Sequence, residues 1–238
     1  KPDVFISLWI NISSSVIPEA QVLEEWLMRQ VKSELKILGI NPILILSSLV
    51  VVFTILSFFA GEMLNLSLLG FEVIFPFIAA MSIGEWGKIK ADENYDVIAA
   101  QGKSLLSWVL YRSVAIFATV TLFAILCMVV VFYVRPEMPF WEMVFIYISP
   151  ALILSTLAVL CNLIFTYEHV STLICGIIWL LAMLSKSMLR FPAVNYIYLF
   201  IRFAGDQNRV WLINKTVIIA ICAIIWTGIC LTFCKKNR

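Results

Sequence analysis

The chain has 238 residues, of which 62% are apolar and only 13% are charged, with a mean hydropathy of +1.00. Water-soluble domains lie near 45–50% apolar and about 25% charged, so a soluble globule is excluded and the solvent is lipid. The formal net charge of +2 says little by itself; the charges cluster in short stretches between long apolar runs, and no nucleic-acid partner is expected.

Residues 1–17 are apolar but too short to span, and they lack the basic patch, compact apolar core and cleavage site of a removable signal peptide. From Pro18 to Leu38 the apolar residues Val22, Leu23, Trp26, Leu27, Val31, Leu35 and Leu38 recur at helical spacing, with Glu24, Glu25, Arg29, Lys32 and Lys36 filling much of the rest. That is the pattern of an amphipathic helix lying in the membrane interface. Residues 1–41 therefore form an N-terminal segment, and 42–238 a six-span domain.

A spanning helix needs about 20 apolar residues. Six runs qualify or nearly so: Pro42–Ala60, Leu68–Gly84, Leu105–Val134, Glu142–Tyr167, Val170–Ser185 and Trp211–Cys234. Pro42 suits a first helical turn, where its missing N–H costs nothing. Pro76 and Pro150 fall inside apolar runs and are expected to kink or break the second and fourth spans. The runs are too long for barrel strands and show no alternation of period two. The fold class is an all-α membrane protein with six transmembrane helices.

Between spans two and three lies a charged loop, 85–104, in which Asp92–Gln101 reads as a short helix with acidic residues in its first turn and Gly102 as its stop. An exposed helix of this kind suits a groove on a cytoplasmic partner. Between spans five and six, residues 186–210 mix Arg190, Arg202, Asp206 and Arg209 with Pro192, Tyr196 and Tyr198. The stretch is too charged to span and too apolar to float free, so short re-entrant or interfacial helices are expected there. The six cysteines lie in or at the ends of apolar runs without a CxxC pair, as small side chains packed among helices.

Basic residues set the expected orientation. Arg29, Lys32 and Lys36 precede span one; Lys88, Lys90, Lys103 and Arg112 flank the 85–104 loop; Lys235, Lys236 and Arg238 close the chain. The connection from span one to span two offers Glu62 and Glu72 but no Lys or Arg, whereas 186–210 holds Lys186, Arg190, Arg202 and Arg209. Ten basic residues, against roughly half as many outside, lead us to expect both termini in the cytoplasm and the chain in the plasma membrane.

This layout resembles the permease subunit of the type-2 ABC exporter family. The likeness runs from about Val31 onward: an amphipathic helix ahead of span one, Glu85 leaving span two, the short helix around Asn94-Tyr95-Asp96-Val97, the break at Gly102-Lys103-Ser104, a long third span with an early Arg112, and Phe191-Pro192-Ala193-Val194-Asn195-Tyr196 between spans five and six. Where many members carry Thr and then Pro around the cytoplasmic helix, this chain has Tyr95 and Gln101-Gly102. The resemblance implies two six-span permease chains, identical or homologous, each docked to a cytoplasmic ABC ATPase subunit through Asp92, Glu93, Asn94, Tyr95 and Asp96. It also implies that this chain has no cofactor of its own, with ATP and Mg on the partner subunit. The expected cargo is hydrophobic or amphipathic, an antimicrobial or toxic peptide moved out for export or self-immunity.

Three patterns point elsewhere and are weaker. Gly102-Lys103-Ser104 has the end of a P-loop, but position 97, where the first Gly belongs, is Val. Glu24-Glu25-Trp26-Leu27-Met28-Arg29 and Phe165-Thr166-Tyr167-Glu168-His169 resemble motifs of intramembrane CAAX-type proteases, yet the chain has a single His and the water-activating set needs more. Asn11, Asn65 and Asn214 begin glycosylation triplets. A non-transporting membrane scaffold is the remaining alternative.

Overall fold

Inside hydrocarbon no water pairs with backbone N–H and C=O groups, so each apolar run must close its own hydrogen-bond ladder. A computed structural model describes residues 41–59, 67–87, 105–136, 139–165, 167, 169–203 and 210–235, and among these all regular structure is helical, without a strand. The chain divides into two units, Lys1–Ile43 and Leu44–Arg238; apart from the first three residues of the first helix, the account below concerns the second. The amphipathic segment 18–38 and residues 88–104 lie outside the described residues.

The helices are α1 (Asn41–Phe59), α2 (Phe75–Trp86, entered through a π turn at Leu69–Ile74), α3 (Leu105–Val134), α4 (Phe140–Ile164), α5 (Val170–Leu184) and α6 (Val210–Lys235). Six segments are long and apolar enough to cross a membrane, and the chain is a multi-pass membrane protein. Each expected span is met to within a few residues. Span five gains length: α5 runs on into a 3₁₀ turn at Ser185–Arg190, so the apolar stretch Val170–Arg190 has 21 residues.

Neither proline breaks its span, and the two are accommodated differently. Pro150 sits inside an unbroken α4. Pro76 lies in the first turn of α2, directly after the π turn. Its ring would collide with the carbonyl four residues back in an α-helix, that of Glu72. The wider π turn ending at Ile74 relieves that collision without ending the span.

Burial divides the helices by role. About two-thirds of the apolar windows of the second and fourth spans are buried (61% and 67%), against 6% for the fifth. The π turn with α2, and α4, are thus the inner pair, and the others present Leu, Ile, Val and Phe to lipid. One apolar cluster joins Phe53 of α1, Phe71 and Phe75, Cys127, Met128 and Val131 of α3, and Met143, Ile146 and Tyr147 of α4. Side-chain hydrogen bonds cross the interfaces: Thr121 with Tyr147 at 2.9 Å, Trp226 Nε1 to Thr156 Oγ1 at 3.0 Å, and Trp179 Nε1 to the Val73 carbonyl of the π turn at 3.1 Å. Cys127, Cys161, Cys175 and Cys222 are buried and unbridged, as small packing residues.

Close packing at one glycine supplies a test. A Cβ at Gly84 would stand 2.8 Å from Thr172 Oγ1 and 3.1 Å from the Thr172 backbone nitrogen at the start of α5, whereas one at Gly176 meets nothing within 4 Å. Gly84→Ala therefore pushes α5 off α2 and is expected to cost about 1–3 kcal/mol by overpacking. Gly176→Ala should be neutral or slightly stabilising, because Ala is the better helix former. Thermal unfolding of the two variants in the same detergent measures the contrast; equal midpoints would show that the contact is not tight.

Candidate functional site

A charge inside an apolar helix bundle persists only with a partner and a full set of hydrogen bonds. Glu72 and Lys215 meet this condition. Both side chains are fully buried, and Lys215 Nζ donates to Glu72 Oε1. The π turn carries Glu72, and the first turns of α6 carry Lys215. The carboxylate also accepts the backbone N–H groups of Arg202, at 3.2 Å, and Phe203. The ammonium donates a further bond to the Leu199 carbonyl at 2.9 Å.

Those backbone partners come from the stretch after α5. It contains the 3₁₀ turns Ser185–Arg190 and Val194–Tyr196, and then tucks Tyr198, Phe200 and Ile201 into the protein. Asn214, beside Lys215, holds the same stretch from its other end, donating to the carbonyls of Asn195 at 2.9 Å and Tyr198 at 3.0 Å. Burial, with the Glu72 carboxylate nearby as the lesser cause, holds the Tyr198 phenol above its ordinary range. Arg202 then reaches outward: its Nη2 donates to Glu142 Oε1 of α4 at 2.8 Å, and its guanidinium lies 5.7 Å from the centre of the Trp211 ring. Two acids and two bases from three helices and the tucked stretch thus close one end of the bundle.

The opposite end has a smaller polar contact. Glu85, in the last turn of α2, pairs with His169 Nδ1 at 2.8 Å and accepts from Thr172 Oγ1 at 3.1 Å. His169 has a left-handed backbone, φ 62°, and stands at the N-terminal cap of α5. Asn162 Nδ2 donates to the Ile83 carbonyl at 2.7 Å, tying the end of α4 to the same turn of α2.

The expected docking residues Asp92, Glu93, Asn94, Tyr95 and Asp96 lie outside the described residues. Of the 85–104 loop, Glu85 is placed against α5. The residues that assemble at the buried site were not singled out as a site by sequence reasoning. Glu72 belongs to the π turn inside the second span, so its reading as part of the connection from span one is corrected. Arg202 pairs with Glu142 of α4 at the margin of the buried site, where the sequence treated it as one more basic residue of an outside loop. Asn214 is fully buried and hydrogen-bonded, which removes it as a glycosylation acceptor. The available signal was simple: Glu72 and Lys215 are opposite charges embedded in apolar runs, and an ionisable residue in a span is a functional-site hypothesis by default.

Truncating one member of this pair strands the other in an apolar setting. Glu72→Leu or Lys215→Met alone should cost about 3–5 kcal/mol. The double variant should recover much of the loss, because it leaves no orphan charge. Exchanging the two residues should not recover it: backbone N–H groups face the carboxylate position and a carbonyl faces the ammonium. Denaturant unfolding in detergent, with the yield of monodisperse protein as a second readout, measures all four. Rescue by the exchanged pair would show that backbone groups do not set the polarity of the site.

No family model, no curated protein and no solved structure matches this chain, so its reading rests on the residues and their geometry.

Proposed function

We propose that the chain is the membrane-spanning subunit of an ATP-driven exporter of the type-2 ABC class. In this reading it works as a pair of permease chains with cytoplasmic ATPase subunits that hold the ATP and Mg. The cargo is hydrophobic or amphipathic, an antimicrobial or toxic peptide. The supporting observation is the second span. At one end it carries Glu72, locked to α6 and the tucked stretch; at the other it carries Glu85, held by α5 and followed directly by the charged loop 88–104.

A helix is stiff along its axis, so a force on the loop reaches the buried pair through α2. Closure of an ATPase pair supplies such a force in a rigid-body transition. The Glu72–Lys215 contact suits an element with two discrete arrangements, because half-separated charges in an apolar interior are far costlier than a paired and hydrogen-bonded set. Cytoplasmic termini and plasma-membrane residence complete the proposal, on the distribution of Lys and Arg.

Two measurements test it. An impermeant thiol reagent on intact cells should label Cys introduced at Asn65 and leave Cys introduced at Asp92 unlabelled; the reverse pattern overturns the orientation. Tyr95→Ala with Asp96→Arg should detach the ATPase or uncouple its hydrolysis from transport, since an interfacial aromatic is commonly worth about 2 kcal/mol or more and a reversed charge opposes docking. Co-purification and cargo-stimulated ATPase activity in proteoliposomes are the readouts. Wild-type values of both, at normal membrane levels of the variant, would mean that the loop is not a docking element.

A further inference from the structure

Lys186 and Arg190 are left over by the internal charge networks. Arg202 and Lys215 are engaged by Glu142 and Glu72, whereas the side chains of Lys186 and Arg190 make no hydrogen bond or ion pair among the described residues. Both are exposed, in the 3₁₀ turn Ser185–Arg190 that extends α5. The sequence has no Asp or Glu between residues 170 and 205 to balance them. Their exposed neighbours in the chain, Leu184, Met188 and Phe191, are large and apolar, and they continue the bare face that α5 presents through Leu173, Ile177 and Leu180.

Depth along α5 puts the two cations at a membrane boundary. His169, exposed and paired with Glu85, marks a polar level where α5 begins. The 15 residues of α5 rise about 22 Å from that level, and the 3₁₀ turn adds about 2 Å per residue. Lys186 thus stands about 26 Å and Arg190 about 34 Å away, on either side of the roughly 30 Å thickness of a hydrocarbon core. A second marker agrees. Tyr133 at the end of α3 and Trp141 at the start of α4 are 85% and 72% exposed at the end of the bundle toward which α5 runs, as in an aromatic belt. A Lys just inside such a boundary extends its head outward to the phosphates, and a guanidinium pairs with phosphate oxygens through two parallel hydrogen bonds.

We infer that the Ser185–Arg190 turn is a docking surface for an anionic glycerolipid of the leaflet away from the 88–104 loop, its phosphate held by Lys186 and Arg190 and its acyl chains lying along the exposed face of α5. Uncompensated positive charge calls for an anion, and the apolar face directly below it calls for hydrocarbon on the same molecule. The inference rests neither on the exporter reading nor on which side of the membrane is cytoplasmic.

Photocrosslinking reads the occupant directly. Benzoylphenylalanine takes the place of Ser187, the exposed residue beside Lys186. The full chain is reconstituted in vesicles of equal phosphatidylglycerol and phosphatidylcholine with matched acyl chains, and adducts are identified by intact mass. A cation near an anionic surface is worth roughly fivefold in affinity, so the phosphatidylglycerol adduct should exceed the phosphatidylcholine adduct by about five- to twenty-fivefold. Lys186→Gln with Arg190→Gln should bring the ratio to near one at unchanged yield of folded protein, because both side chains are exposed and unpaired among the described residues. Lys186→Arg with Arg190→Lys keeps the charge and should keep the enrichment. A ratio near one in the chain with both cations, an enrichment that survives the double Gln variant or is lost in the charge-preserving one, or adducts to a second protein chain in place of lipid overturns the assignment.

Discussion

A carboxylate and an ammonium inside a hydrocarbon slab have to meet or give up their charges, and the Glu72–Lys215 contact shows how much structure that constraint recruits. The carboxylate has lone pairs beyond the one Lys215 uses, and two backbone N–H groups fill them. The ammonium has N–H donors beyond the one it gives Glu72, and the Leu199 carbonyl accepts from one of them. Each of these backbone groups belongs to the stretch after α5, so the pair can be satisfied only if that stretch folds inward. Satisfying one ion pair thereby fixes the path of the chain between the fifth and sixth spans.

The irregular backbone of the second span has a separate cause, Pro76. A regular α-helix through Pro76 would set the proline ring against the Glu72 carbonyl. The π turn relieves the clash while keeping every residue of the span within a helical ladder, and its Val73 carbonyl takes a bond from Trp179. π turns are frequent at functional sites because they re-aim side chains without ending a helix, and here the residue carried is the buried acid. Arg202 extends the network to Glu142 at the margin, where partial exposure makes that second pair a weaker contributor than the first.

One long element thus joins two polar ends of unequal character. The Glu72 end is fully buried, its carboxylate accepting from three groups; the Glu85 end is half-exposed and held by a histidine and a threonine at a helix start. Screening and solvent make the Glu85 contact easy to break, while low dielectric makes the Glu72 contact hard to break partway.

Sequence alone determined the solvent, the number of spans and their limits. Each apolar run must close its own hydrogen bonds, and the energy of a 20-residue run in lipid does not depend on which neighbour it touches. The six runs accordingly match the six helices to within a few residues. The sequence also carried the inconsistency that marked the site: Glu72 and Lys215 stand in runs that otherwise avoid charge. What it could not decide is that these two, 143 residues apart, face one another, that Leu199, Arg202 and Phe203 turn inward to complete them, or that Pro76 is absorbed by a π turn while Pro150 leaves α4 unbroken. Pairing of that kind depends on the rotation of each helix about its axis. In a chain whose spans are apolar all round, no hydrophobic stripe specifies that rotation. Packing and the buried charges settle it, and both exist only once the helices are assembled.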